Sequence, residues 1–271
     1  MAERGQQAHA AWRAGLAKWR EAHPEKAALY DAIFSTPPAD LAETLKKVRS
    51  AGFEYVEPAG FYGMSAFALA DLLKQNGLSA ISTHTGFEAV SANFDAVVQD
   101  HVVLGAKHIS VPGMPGSMYM DTYEGFAAFA QRLDLYAEQI APKGMTVSYH
   151  NHFHEFKPIG DTCGWDILYS VTKNLKMQLD TGNAFEGGAD ILKWLKKYNN
   201  RMVTVHFKDK KKDGDGLVDS AIGEGILPWA EIASLVKSSG AEYVIVEIEK
   251  FLRDPWDTLK CSYDNIAAMF K

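Results

Sequence analysis

From Asp40 onward the apolar residues follow two alternating rhythms. Leu41, Leu45 and Val48 recur at helical spacing, and Gly52 closes that run. Phe53-Glu54-Tyr55-Val56-Glu57 then reads as a strand. The same beat returns along the chain, with strands predicted over 53–57, 78–84, 107–112, 145–150, 176–180, 202–208 and 242–249. Helices are predicted over 66–75, 94–104, 123–140, 164–172, 189–197 and 229–238, and a last one over 255–269. Seven strands alternating with helices over short loops imply a parallel sheet covered by helices. This is an α/β fold, close in strand number and length to a (β/α)8 TIM barrel.

The first strand is the exception. Residues 1–33 carry Trp12, Leu16 and Trp19 at helical spacing, and Pro24 suits the start of a second helix through Ala27, Leu29 and Tyr30. The division expected is an N-terminal helical segment over 1–33 and a barrel over 34–271. Either a poor first strand hides in 28–34, or the first strand is missing and N-terminal helices replace it.

Alternation within the strands sorts their side chains into two faces. Met145, Val147 and Tyr149 face the helices, which turns Thr146, Ser148, His150 and His152 inward. By the same parity Gln178 and Asp180, then Thr204, His206 and Lys208, then Glu247 and Glu249 face inward, and Glu57, His84 and His108 share that sense. Polar groups buried without partners cost several kcal/mol each, on the order of 2–7. A divalent ion removes that cost for His150, Asp180, His206 and Glu247, which come from consecutive strands. This mixed nitrogen and oxygen set suits Zn, Mn, Fe or Co better than Ca or Mg. His108, deeper in its strand, reads as a hydrogen-bonded structural residue, and Asp180 also fits a turn or helix start. Met64, Met114, Met118 and Met120 read as packing or lid residues. The run Tyr149-His150-Asn151-His152-Phe153-His154-Glu155-Phe156 lacks the His-Glu-x-x-His spacing of metalloproteases.

Composition narrows the classes. A net charge of −6 gives no general attraction to nucleic acid or anionic membrane. No apolar run approaches the roughly 20 residues of a membrane span. The two cysteines are too few for a disulfide scaffold, so a reduced cytoplasmic setting is expected. A homo-oligomer is left open.

The segments Val56-Glu57-Pro58-Ala59-Gly60-Phe61-Tyr62-Gly63, Tyr149-His150-Asn151-His152, Leu179-Asp180-Thr181-Gly182-Asn183, Val205-His206-Phe207-Lys208-Asp209, Gly223-Glu224-Gly225 and Val246-Glu247-Ile248-Glu249 resemble the xylose-isomerase-like TIM-barrel superfamily, and more narrowly its sugar phosphate isomerase/epimerase family. The resemblance runs from about residue 34 to the C-terminus. It implies one divalent ion at the barrel mouth, with Asp180, His206 and Glu247 matching ligands. It also implies a small-molecule sugar or keto-sugar substrate, isomerised or epimerised through an ene-diolate. Glu247 or His152 would move the proton, Lys208 would offset developing charge, and Glu57, His84 and Glu249 would hold sugar hydroxyls. His150 stands where related epimerases carry Glu, which brings in the alternative of a lyase or hydrolase acting on 3-keto-glycosides. An apurinic endonuclease, from the same superfamily, would need further His and Asp ligands, and no His follows Asp180 in its turn. A non-catalytic sugar-binding or scaffold barrel is the remaining alternative.

Overall fold

The computed structural model describes residues 38–115, 122–214 and 216–271. The expected N-terminal helices, the candidate first strand at 28–34, Met118 and Met120 lie outside these residues.

Helix α1 (Pro38–Ser50) leads to strand β1 (Tyr55–Val56), α2 (Ala66–Gln75), β2 (Ser79–Ala80) and β3 (Ser82–His84). Then follow α3 (Phe87–Ala92), α4 (Phe94–Leu104), β4 (His108–Val111), α5 (Tyr123–Ile140), β5 (Thr146–His150), α6 (Gly164–Ser170) and β6 (Lys176–Asp180). The chain closes with α7 (Thr181–Glu186), α8 (Ile191–Lys197), β7 (Met202–Phe207), α9 (Trp229–Lys237), β8 (Tyr243–Val246) and α10 (Pro255–Met269).

Six parallel strands pair in the order β8-β7-β6-β5-β4-β3, and β1 pairs in parallel with β2. The single strand expected over 78–84 is broken at Ile81, whose amide donates to Val56 and whose carbonyl accepts from His108. That break lets the chain pair with β1 before it and β4 after it. The result is a curled parallel sheet with helices outside it, in the expected (β/α) order.

The curl is open between β1 and β8. Among the described residues no backbone hydrogen bond joins these strands. A cavity of about 510 Å³ separates them, lined by Val48, Tyr55, Val56, Tyr243, Val244 and Ile266. All four residues of β8 are half-buried, whereas β7 is buried throughout.

Strand parity holds where both faces are covered. Val147, Tyr149, Met177, Leu179, Val205 and Phe207 are fully buried in one large apolar core beneath the helices. A smaller core gathers Leu41, Leu45, Leu69, Leu73 and Leu78 under α1 and α2. Gly52, at φ +114, ends α1 in a conformation that side chains resist, and a Cβ there would run into the Tyr263 ring. Met64 and Met114 pack against the cores, as expected. His108 is buried with Nδ1 bonded to Thr146 Oγ1 at 2.8 Å, the structural role expected of it.

Besides the break at Ile81, further features depart from the expected elements. The α3 turn and the antiparallel hairpin of Asp209–Asp213 with Gly216–Ser220 were not expected, and the strand predicted over 242–249 ends at Val246. In the last case Glu247 and Glu249 leave the sheet for the loop at its mouth.

Candidate metal centre

Four strand ends carry the site. β5 delivers His150, β6 delivers Asp180, β7 delivers His206, and Glu247 follows β8 directly. One ligand atom from each lies within 4.8 Å of the others. His84, at the end of β3, makes an overlapping trio with His150 and His206 under the same limit; parity had turned it inward, but the sequence reading gave it to substrate rather than to the metal group. Its ring stacks on His206 at 5.2 Å and meets His150 edge-on at 4.6 Å.

The backbone is clamped to hold these ends. Asn151 Oδ1 accepts from the Asp180 amide at 2.9 Å, and its Nδ2 donates to the Asp180 carbonyl at 3.2 Å. Asn183 Nδ2 returns to the Asn151 carbonyl at 3.2 Å. Glu155, fully buried, accepts from the His152 amide at 2.9 Å and from the Tyr149 hydroxyl at 2.5 Å, fixing the loop after β5. Asp180 does two jobs: Oδ1 caps α7 by accepting from the Asn183 amide at 2.6 Å, and Oδ2 is left with no hydrogen bond. The turn or helix start considered for Asp180 and its role facing the site are therefore one arrangement.

Charge is concentrated here. Lys208 is fully buried, with Nζ 2.8 Å from Glu247, 2.9 Å from Glu249 and 3.6 Å from Asp180. It also donates to Asn183 Oδ1 at 3.1 Å. Burial opposes its charge, but the carboxylates of Asp180, Glu247 and Glu249 outweigh that and raise its pKa. Its stem crosses Gly182, where a Cβ would come within 2.6 Å of Lys208 Cγ. His206 sits between two carboxylates: Nδ1 meets Glu247, and Nε2 meets Glu57 at 2.7 Å. Burial pulls its pKa down, yet Glu57 and Glu247 push it to about 10. Burial pushes Asp180 up to about 7, helped by Glu247 and opposed by Lys208 and His206. Burial would raise Glu247 too, but His150, His206 and Lys208 hold it well below the usual carboxylate range. Burial drives His150 and His152 downward, so both imidazoles are neutral at pH 7.

The residues expected at the site fall into three positions. His150, Asp180, His206 and Glu247 converge as a group. His152 lies beside that group, its ring 5.3 Å from His150, and Glu249 stands at the rim with its side chain 57% exposed. Glu57 and His84 meet the group from the other side. Glu57 was expected to hold sugar hydroxyls, but its side chain is only 2% exposed and both oxygens are engaged by protein. Asn151 and Asn183 are supports to which the sequence reading gave no role, and Gln178, read only as inward-facing, is a third.

A largely buried quartet of two imidazoles and two carboxylates, with Asp180 Oδ2 making no hydrogen bond, fits a divalent ion. Fold and site together define a parallel (β/α) barrel whose mouth carries a group of side chains that could hold a metal ion. The chain belongs to the xylose isomerase-like TIM barrel family, whose profile matches residues 45–260. It is similar to an inosose dehydratase of Bacillus licheniformis, 23% identical over 245 residues, covering 78% of this chain and 81% of that one. Among solved structures, a sugar phosphate isomerase/epimerase of Parabacteroides distasonis superposes with a TM-score of 0.72 at 20% identity, over 90% of this chain and 96% of that one. An IolI protein with a bound zinc atom superposes with a TM-score of 0.63 at 14% identity, over 89% and 96% of the two chains. At these identities the two structures speak for the fold. No helix among the described residues is long and apolar enough to cross a membrane.

Proposed function

We propose that this protein is a divalent-metal-dependent enzyme that removes a proton beside the carbonyl of a sugar or keto-sugar and returns it to give an isomer or epimer. The observation that carries this reading is the convergence of His150, Asp180, His206 and Glu247 within 4.8 Å, with Asp180 Oδ2 buried and making no hydrogen bond. Those four residues would hold the ion, drawn from Zn, Mn, Co or Fe. When bound, it supplies Lewis-acid polarisation of the substrate carbonyl.

The chain's own groups supply the rest. Glu247 is a carboxylate at neutral pH, partly open to the mouth, and is the base that takes the proton. His152, neutral and with Nδ1 free of protein partners, is placed to deliver or accept a second proton. The Lys208 ammonium offsets the negative charge left on the ene-diolate. Glu249, open at the rim, is the expected sugar-binding group best able to meet a hydroxyl.

A second reading is a dehydration of a keto-sugar. It is favoured by the inosose dehydratase similarity and by His150 standing where a second carboxylate would serve epimerisation. Both readings begin with the same proton abstraction.

The test is solvent exchange. The protein, stripped and then reloaded with Mn, Zn, Co or Fe, is incubated with ketoses, aldoses and keto-inositols in deuterated water. Deuterium at the carbon beside the carbonyl with the skeleton retained supports isomerisation or epimerisation. Loss of water with a new conjugated-enone absorbance supports dehydration. Absence of exchange with every metal and substrate leaves a non-catalytic barrel and ends both readings.

A further inference from the structure

We propose that Glu57 is a positioning residue of the metal centre: its carboxylate holds the Nε2 proton of His206 and thereby turns the Nδ1 lone pair toward the ligand group. The proposal rests on the reading that His150, Asp180, His206 and Glu247 bind a divalent ion.

An imidazole can ligate only through a nitrogen that carries no proton, so its other nitrogen must keep one. His206 offers two directions. Nδ1 points at Glu247, a member of the ligand group, and Nε2 points at Glu57 Oε1, 2.7 Å away and outside that group. Without an ion each nitrogen can carry a proton toward its own carboxylate; an ion in the ligand group would take the place of the Nδ1 proton, and the Nε2 proton would stay directed at Glu57. The geometry therefore assigns ligation to Nδ1.

Glu57 is itself tightly held. His84 Nε2 lies 2.9 Å from the same Oε1, and Gln178 Nε2 donates to Oε2 at 2.8 Å. Gln178 is anchored in turn: it accepts from Ser110 Oγ at 2.6 Å and meets Thr204 Oγ1 at 2.7 Å. These partners come from β4, β6 and β7, so the carboxylate is referenced to three strands of the sheet. His84 also stacks nearly parallel on the His206 ring, with an interplanar angle of 8°. A group 2% exposed with both oxygens engaged has no capacity to bind a sugar hydroxyl without giving up a buried partner. Carboxylates that hold a ligating histidine in this way typically change metal affinity about 10–100-fold.

The experiment compares wild type, Glu57→Gln and Glu57→Ala in the full chain. Zinc and manganese affinities are measured by chelator competition, and the ring nitrogens of His206 by 15N NMR of the zinc-loaded protein. Circular dichroism of the chelated forms shows that each variant is folded; Glu57→Gln, nearly isosteric, serves if Glu57→Ala is not. The expected result is one ion bound through His206 Nδ1 in wild type, with affinity lowered about 10–100-fold in the variants. Metal binding in wild type with affinity in Glu57→Gln unchanged within about threefold, or ligation through His206 Nε2, overturns the proposal and leaves the centre standing. A raised KM with unchanged metal affinity assigns Glu57 to substrate instead and also overturns it. No metal binding in wild type removes the centre itself, a result distinct from the others.

Discussion

Lys208→Met should destabilise the metal-free protein strongly and the metal-loaded protein much less. The ammonium is fully buried and lies 2.8 Å from Glu247, 3.6 Å from Asp180 and 2.9 Å from Glu249. The Glu249 side chain is 57% exposed, so its pair is screened and contributes about 0–1 kcal/mol. Asp180 is fully buried and the Glu247 side chain is 23% exposed, so these two are left uncompensated when the cation goes. Removing one partner of a buried pair costs about 3–5 kcal/mol. Methionine keeps the apolar stem over Gly182, so the loss reports charge rather than packing. For a domain of this size the loss corresponds to a fall in Tm of roughly 10 °C. Because the carboxylates raise the lysine pKa, Lys208 stays charged through the unfolded value of about 10.4, and the contribution weakens only as falling pH protonates Asp180 near 7 and then Glu247. A bound divalent ion places new positive charge among the same carboxylates, so the deficit should shrink in zinc or manganese. Urea unfolding of both proteins, in chelator and in saturating metal, makes the comparison. A loss under about 1 kcal/mol in chelator, or an equal loss with and without metal, would refute the reasoning.

The other expectations address chemistry, metal uptake and the loop after β5. Glu247→Gln should lower solvent exchange into substrate by about 10²–10⁴-fold while the protein stays folded; exchange at the wild-type rate removes Glu247 as the base. Metal uptake should release between one and two protons at pH 7, because His206, raised to about 10, is protonated there and Asp180, raised to about 7, is partly so. Affinity should therefore rise as pH climbs through about 7; calorimetry in buffers of different ionisation enthalpy counts the protons, and zero release contradicts the assignment. Burial works against the Glu155 carboxylate, but hydrogen bonds from His154 and Tyr149 outweigh it and hold the pKa below normal. Its stabilisation is thus present above the unfolded value and lost as pH falls through the lower folded one. Glu155→Gln should cost about 2 kcal/mol at pH 7, with the gap to wild type narrowing below about pH 4; a pH-independent gap in urea unfolding counts against this.

Much of the fold was legible because sheet burial enforces alternation. Val147 and Tyr149 had to face helices, so His150 had to face inward, and the same rule placed Asp180, His206 and Lys208. Parity gives a face but not a depth. Glu57 shares the inward sense of Glu247, yet the pairing of Tyr55 with Ser79 and Val56 with Ala80 brings it against His84 and Gln178 rather than to the mouth. Contacts across the chain were likewise hidden. Nothing local links Asn151 to Asp180, or Asp209 to the amides of Gly223 and Gly225 that its carboxylate gathers at 3.0 and 2.8 Å. The hairpin of Asp209–Asp213 with Gly216–Ser220 reads in sequence as a charge run. It forms because Lys210 can pair with Asp219 at 2.9 Å and with Glu186 at the same distance. Asp219 then accepts from the amides of Glu249 and Lys250, placing Glu249 beside Lys208.

The site's charges explain how so many ionisable groups can share one mouth with or without metal. Glu57, Glu247 and Asp180 bring three carboxyl groups, set against the Lys208 ammonium and a protonated His206. Burial raises Asp180 far enough that it can shed its charge when the cations do not suffice. A divalent ion would add two positive charges, and its binding would expel the proton of His206 and the fraction held by Asp180. The net change is therefore close to half a charge at pH 7 rather than two, with Asp180 near its midpoint. Charge at the site would thus be balanced by exchanging protons for the ion. Glu57 remains outside that exchange. Paired with His206 Nε2, it would keep the ring in place while the Nδ1 side traded a proton for a metal.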